Sequence, residues 1–202
     1  MLVLIKGAGD LATGAAVRLY RAGIPVVMTE VAQPTAVRRT VAFSQCMYDG
    51  AAQVEGISAR RAEDAGAARR ALERGEVPVL CDPAAAILGE LPFDGVVDAI
   101  LAKRNLGTAI TDAPVVLALG PGFTAGVDCH GVVETMRGHN LGRLLTQGSA
   151  APNTGVPGDV GGYTTQRIIR APADGAFEPL AAIGQRVEEG QPVARVAGRT
   201  AC

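Results

Sequence analysis

The chain opens with an apolar strand that runs directly into a glycine turn and then into a helix: residues 4–14 read LIKGAGDLATG. Gly7, Gly9 and Ala12 take the three positions of a G-x-G-x-x-[GA] turn, and each position has a mechanical job. The first glycine makes the bend, the second lets a pyrophosphate touch the backbone, and the small third residue lets the helix pack on the strand. The turn then aims unpaired N–H groups and the positive end of the helix dipole at an anion. A G-x-G alone specifies little. Here the next strand ends in Glu30, about 20 residues further on, where a carboxylate accepts bonds from ribose hydroxyls. An acid there favours NAD or another ribose without a 2′-phosphate, which it would repel. Asp10 works against the simple reading, because its charge sits in the first helical turn where a pyrophosphate would lie. Either Asp10 turns aside, or the ligand is of another kind, such as an S-adenosylmethionine-type molecule without a pyrophosphate.

Beyond the turn, short apolar runs alternate with helical stretches for about a hundred residues, the pattern of a parallel sheet covered on both faces. Strands are expected at 2–5, 25–29, 53–57, 77–81, 96–102 and 115–119. Helices are expected at 10–22, 35–43, 59–74 and, after the Asp82-Pro83 start signal, 84–88. The fold class is therefore α/β, a Rossmann-like doubly wound parallel sheet over residues 1–126. A β-hairpin and a Gly/Pro-rich loop, SAAPNTGVPGDVGGY at 149–163, are expected over 127–163. Residues 164–202 read as short strands and close turns, resembling half of a barrel-sandwich hybrid. A biotinyl or lipoyl carrier needs a lysine at its hairpin tip, and no lysine follows Lys103, so no covalent biotin or lipoate is expected. An unclosed half leaves strand edges for a partner chain or for sequence beyond Cys202 to cover.

Composition removes several classes of function. A formal net charge of -1 gives no general attraction to nucleic acid or to an anionic membrane. The N-terminal apolar run ends at Lys6, too short for a signal peptide or a spanning helix, so a cytoplasmic protein is expected. Cys46, Cys81, Cys129 and Cys202 are scattered singly, which suits a reducing compartment and matches no zinc knuckle.

Of 19 basic residues only Lys6 and Lys103 are lysines, and both fall at the carboxyl ends of expected strands, the ligand-binding edge of open α/β sheets. Lys103 and Asn105 are binding candidates there, beside Arg104. The GPGFTAG segment offers Gly120 and Gly122 as a second anion-binding nest, or as a structural turn. Asp128, Cys129, His130, Glu134, Arg137, His139 and Arg143 crowd one expected hairpin, yet their spacings match no metal-ligand pattern, so no metal site is assigned. No tyrosine has a lysine four residues on, and neither a G-x-S-x-G elbow nor a P-loop is present. Catalytic residues stay unknown, and whether the chain is an enzyme stays open.

The strings VVMTE, VRRTVAFSQCMYDG, VDAILAKRNLGT, LGPGFTAGVDCHGVVETMRGHNLGR, NTGVPGDVGGY and RAPADGAFEPL resemble the YqeB family of accessory proteins for selenium-dependent molybdenum hydroxylases. The resemblance covers nearly the whole chain. It implies a Rossmann domain and a role beside xanthine-dehydrogenase-like enzymes, comparable to the XdhC/CoxI maturation factors that handle the molybdenum cofactor. It implies a molybdenum hydroxylase as partner and leaves homo-oligomerisation open. Gly7, Gly9 and Glu30 then form the nucleotide turn, with Lys103, Asn105, Gly120 and Gly122 candidates by position. The leading expectation is a maturation or insertion factor binding a nucleotide-bearing ligand, with the dinucleotide form of molybdopterin among the candidates. A small NAD-dependent oxidoreductase using Lys103 or His130 as proton donor, and a docking scaffold, are the alternatives.

Overall fold

The computed structural model describes residues 1–156 and 158–202; Pro157, in the expected Gly/Pro-rich loop, lies outside them. Two compact units divide the chain, Met1–Asn153 and Thr154–Cys202.

The first unit is built on β1 (Val3–Lys6), β2 (Val26–Glu30), β3 (Ala51–Val54), β4 (Ile57–Ala62), β5 (Val77–Cys81), β6 (Gly95–Asp98), β7 (Val115–Leu119), β8 (Gly131–Val133) and β9 (Leu144–Leu145). They form one sheet in the order β3-β4-β5-β2-β1-β6-β7-β8-β9. Every neighbouring pair runs parallel except β3 on β4 and β8 on β9, at the two edges. The hairpin expected after residue 126 thus extends the main sheet.

Alternation along β1 sets the two cores. Leu4 packs with Val27, Val96, Val116 and Val132 on one face, while Val3 and Ile5 pack with Val26, Met28, Val77 and Val79 on the other. Each fully buried aliphatic side chain contributes about 1.5–3 kcal/mol. Helix α1 (Asp10–Arg21) covers the second face with Ala12, Ala16 and Val17. It ends at Arg21, capped by Ala22, and the following Gly23 has φ +76°. Helix α3 (Ala65–Glu73) covers the first face with Ala65 and Ala68. The short α2 (Cys46–Asp49) lies between them in the chain. Strand β1 has β2 on one side and β6 on the other, so the order reverses at β1, where open sheets leave a crevice beyond their carboxyl ends.

Three expected elements take another form. The run at 53–57 is a hairpin turn: Val54 pairs with Ile57, and Glu55 and Gly56 both have positive φ, 51° and 81°. That is the two-residue turn that matches strand twist. The helix expected from residue 59 starts only at Ala65, because 57–62 pairs in parallel with β5 and Asp64 caps the helix, accepting from Ala67 N–H at 2.7 Å. The helix expected over 35–43 is replaced by 3-10 turns at Arg39–Val41 and Phe43–Gln45. There Phe43 is fully buried, and its N–H donates to Thr13 Oγ1 at 2.9 Å. After β5, the Asp82 carboxylate accepts from Ala86 and Ile87 N–H, both at 2.9 Å, and the short turn of helix there spans Ala86–Gly89.

The second unit contains a three-stranded antiparallel sheet, β10 (Phe177–Pro179), β11 (Ala194–Val196) and β12 (Arg199–Ala201). Ala194, Val196 and Ala201 are its buried positions. Among the described residues no helix is long and apolar enough to cross a membrane.

Two glycines give a paired test of this packing. Gly14 is exposed in the middle of α1, and a Cβ there meets nothing within 4 Å. Gly14→Ala should raise stability by about 0.5–1 kcal/mol. Gly7 has φ +94°, and its Cβ would stand 3.0 Å from Ala99 O and from Ile100 Cα. Gly7→Ala should lower stability by roughly 1–3 kcal/mol. Urea denaturation midpoints of the two variants should move in opposite directions.

Candidate functional site

The glycine turn folds as its spacing requires. Positive φ at Gly7 makes the bend, and the missing side chain lets the strand leaving β6 lie against it. Gly9 is extended (φ -66°, ψ -177°), caps α1 without a side-chain bond, and faces open space in the direction of a Cβ. Ala12 is 1% exposed and packs the helix on the sheet. The turn is braced from behind: Ala8 O accepts from Ser44 N–H at 2.8 Å and from Thr13 Oγ1 at 3.2 Å.

Two acids at the turn are already engaged. Asp10 pairs with the Arg38 guanidinium, so it turns aside and its charge is offset. Glu30 Oε2 accepts from Ala8 N–H at 2.9 Å and Oε1 from Val31 N–H at 2.8 Å. The Glu30 carboxylate is thus part of the turn's own architecture, with lone pairs left on both oxygens for further donors.

The remaining candidates meet on the segment that follows β6. Leu101 and Lys103 both have left-handed backbone, φ 61° and 64°, a conformation that costs a non-glycine residue about 1–2 kcal/mol. The segment is seated on the second glycine nest. A Cβ on Gly122 would come within 2.6 Å of Arg104 N and Cα, and one on Gly120 within 2.6 Å of Thr135 Oγ1 and 3.3 Å of Leu101 Cδ2. Gly120 and Gly122 therefore hold Lys103 and Arg104 at the carboxyl edge. Both cations are exposed and make no ion pair among the described residues.

Asn105 has an internal role. Its Oδ1 accepts from Gly107 and Thr108 N–H at 2.9 and 2.8 Å, and its Nδ2 donates to Thr108 O at 2.8 Å. This closed loop delivers Thr108 into the interior. There Lys6 Nζ donates to Thr108 Oγ1 at 2.5 Å, and Thr108 Oγ1 donates to Asp98 Oδ2 at 2.6 Å. Lys6, Thr108 and Asp98 are 4%, 3% and 1% exposed. Asp98 and Thr108 escaped the sequence reading. The available signal was the Asn-Leu-Gly-Thr turn, which forces residue 108 back toward the sheet.

The hairpin's polar residues serve separate local tasks. Asp128 Oδ2 closes the glycine segment by accepting from Thr124 N–H at 2.7 Å. His130 Nδ1 accepts from Val116 N–H at 3.0 Å, which places it at the amino end of β7, opposite the candidate edge. Glu134 accepts from Met136 N–H at 2.7 Å and from Ala151 N–H at 2.8 Å. Among the described residues no group of three or more His, Cys, Asp or Glu could hold a metal ion. Cys46 and Cys129 are buried. Burial pushes the Cys46 thiol up to about 12, so it stays protonated and inert.

One relative is highly similar in sequence. The chain is 54% identical to "Uncharacterized protein YqeB" of Escherichia coli (strain K12). The match takes in 193 residues, 96% of this chain, and supports the likeness to YqeB read from the sequence blocks. The chain spans only about a third of that relative, 36% of its length. No protein-family model and no solved structure matches the chain.

Glu134 generates a prediction about acid stability. Main-chain donors, Ala151 first and then Met136 and Thr135, hold its carboxyl below the ordinary glutamate value. A group depressed on folding stabilises fully above its unfolded pKa, about 4.3, and loses that contribution as pH falls through the folded value. Glu134→Gln should therefore be less stable than wild type at pH 7. Its stability should also fall less steeply than that of wild type below about pH 4.3, as read from urea midpoints. Glu76, held low chiefly by Arg60, supplies acid sensitivity common to both proteins.

Proposed function

We propose that the chain binds a nucleotide-bearing anionic ligand at the carboxyl edge of its parallel sheet, and that the first unit works as a Rossmann-like nucleotide-binding domain. The observation that carries this reading is the bare backbone at Gly9. An open approach leads to the head of a 12-residue helix, with Glu30 at the end of the neighbouring strand and the exposed Lys103 and Arg104 on the opposing segment. Amides and helix dipole favour negative charge at that point. Arg38 takes up the Asp10 carboxylate, which removes the principal objection to a phosphate there.

The resemblance to YqeB and to the XdhC/CoxI factors supplies the context. In this reading the chain is an accessory or maturation factor for a molybdenum hydroxylase, in a selenium-dependent system and in the cytoplasm. NAD, other nucleotides and molybdopterin dinucleotide are its candidate ligands. Carrying a cofactor needs binding without turnover, which suits an edge where the two potential proton donors are placed apart. Lys103 lies at the carboxyl edge and His130 beside the amino end of β7. The second unit, read as half of a barrel-sandwich-like module without a lysine, serves docking in this scheme. One observation favours the alternative of a pure docking scaffold: Glu30 already occupies the Ala8 N–H.

Gly9 separates the two readings. Its backbone angles suit any residue and its Cβ direction is open, so Gly9→Leu should fold with an unchanged melting temperature. Thermal shift with NAD, NADP, S-adenosylmethionine and cytidine nucleotides, guided by mass spectrometry of co-purifying molecules, should give a shift for wild type that Gly9→Leu loses. No shift of wild type with any of them supports the scaffold.

A further inference from the structure

The first unit buries an ammonium whose bonding is incomplete. Lys6 is 4% exposed, and of its three N–H donors one is used, on the neutral hydroxyl of Thr108 at 2.5 Å. Asp98 does not bond Lys6 directly; its Oδ2 holds the other side of that hydroxyl, at 2.6 Å. Beside Lys6, in register across β1 and β2, stands Thr29, 3% exposed. Its hydroxyl makes no hydrogen bond among the described residues, none of which carries a buried side-chain N or O atom without a partner, so that oxygen keeps contact with solvent. The ammonium, bonded to one neutral hydroxyl and held off Asp98 by it, recovers only part of what it loses in leaving water, and the Thr29 hydroxyl beside it is open to a further partner. The position is the point where the strand order reverses, between β2 and β6, and the segment that brings Thr108 there carries two left-handed non-glycine residues, Leu101 and Lys103. Strain of this kind collects where a segment changes partners.

We propose that Lys6 and Thr29 form a phosphoryl-binding subsite for which the Thr108 hydroxyl stands in: on binding, Lys6 exchanges Thr108 for a phosphate oxygen and the 105–108 turn is released from the sheet end. This rests on the nucleotide-binding reading and deepens it, since it assigns a second anion contact besides the glycine turn. The Lys6–Thr108 bond then acts as an internal competitor. Asn105 holds the competitor in place through Gly107 and Thr108 N–H.

The test uses inorganic pyrophosphate as probe, with adenosine as the uncharged control, in isothermal titration of the full chain. Lys6→Met should weaken pyrophosphate binding at least tenfold. Thr108→Val, which removes the competing hydroxyl, should tighten it several-fold. In wild type, pyrophosphate should speed amide exchange at Gly107 and Thr108 several-fold, a measurement that holds even if Lys6→Met does not fold. Equal affinity of wild type and Lys6→Met, unchanged or weakened binding in Thr108→Val, unaltered exchange at 107–108, or no pyrophosphate binding to wild type would each overturn the subsite. If nucleotides still shift wild type and Gly9→Leu still abolishes that shift, the subsite alone falls. If no nucleotide shifts wild type, the parent reading falls with it.

Discussion

The carboxyl edge of this sheet depends on backbone lying directly on backbone. Gly7 leaves no room for a Cβ against Ala99 and Ile100, and Gly122 leaves none against Lys103 and Arg104. These two contacts seat both ends of one stretch of chain, and the rest of the site follows from that seating. Ala99 N–H reaches Lys6 O at 2.8 Å, which continues the β1–β6 pairing one residue beyond the strand. With that register fixed, Leu101 and Lys103 take left-handed backbone and Thr108 returns onto Lys6. Interiors packed at crystal density do not absorb an added methyl group without displacement, so Gly7 and Gly122 act here as spacing elements.

The fold was legible where one local signal decided it. Continuous apolar runs marked β5 and β7 to the residue, because strands buried on both faces tolerate few polar side chains. The first helix, expected over 10–22, closes where Gly23 takes positive φ. Its buried face is Ala12, Thr13, Ala16 and Val17, with Leu11 47% exposed, and polar Thr13 belongs there because its hydroxyl donates to Ala8 O and accepts from Phe43 N–H. The hairpin at Glu55-Gly56 was hidden because Asn-Gly or Asp-Gly is the usual signal for that turn, and a glutamate at φ 51° is not a recognisable choice. Residues 59–62 fell inside the helix expected over 59–74, although they are strand. Pairing with β5 outweighed a propensity difference that amounts to only tenths of a kcal/mol per residue.

The site divided in the same way. Gly7, Gly9, Ala12 and Glu30 could be read because one strand–turn–helix and the next strand contain them all. Asp98 and Thr108 could not, since their partner Lys6 is about a hundred positions away in the chain and nothing local marks an aspartate as buried. Asn105 was noticed for its amide, which the fold spends on its own loop. A polar side chain near a ligand edge has to be weighed against the main-chain groups that a tight turn leaves to be satisfied.

Charge at the turn is arranged so that acids and cations share one edge without opposing each other. Glu30 gives its carboxylate to Ala8 and Val31 N–H, and Asp10 gives its own to Arg38, while Lys103 and Arg104 keep their charges exposed. The acids are thereby anchored to donors and the cations are held in reserve. For a ligand bearing both phosphates and ribose hydroxyls, this arrangement asks for a small exchange: hydroxyls add to the spare lone pairs of Glu30 while phosphates meet amides at Gly9. For a ligand with phosphates alone, Glu30 offers nothing and its charge opposes binding. In the nucleotide reading proposed above, Glu30 would favour a ligand with ribose hydroxyls over a bare inorganic anion, for which only the Gly9 amides and the cations Lys6, Lys103 and Arg104 would be left as contacts.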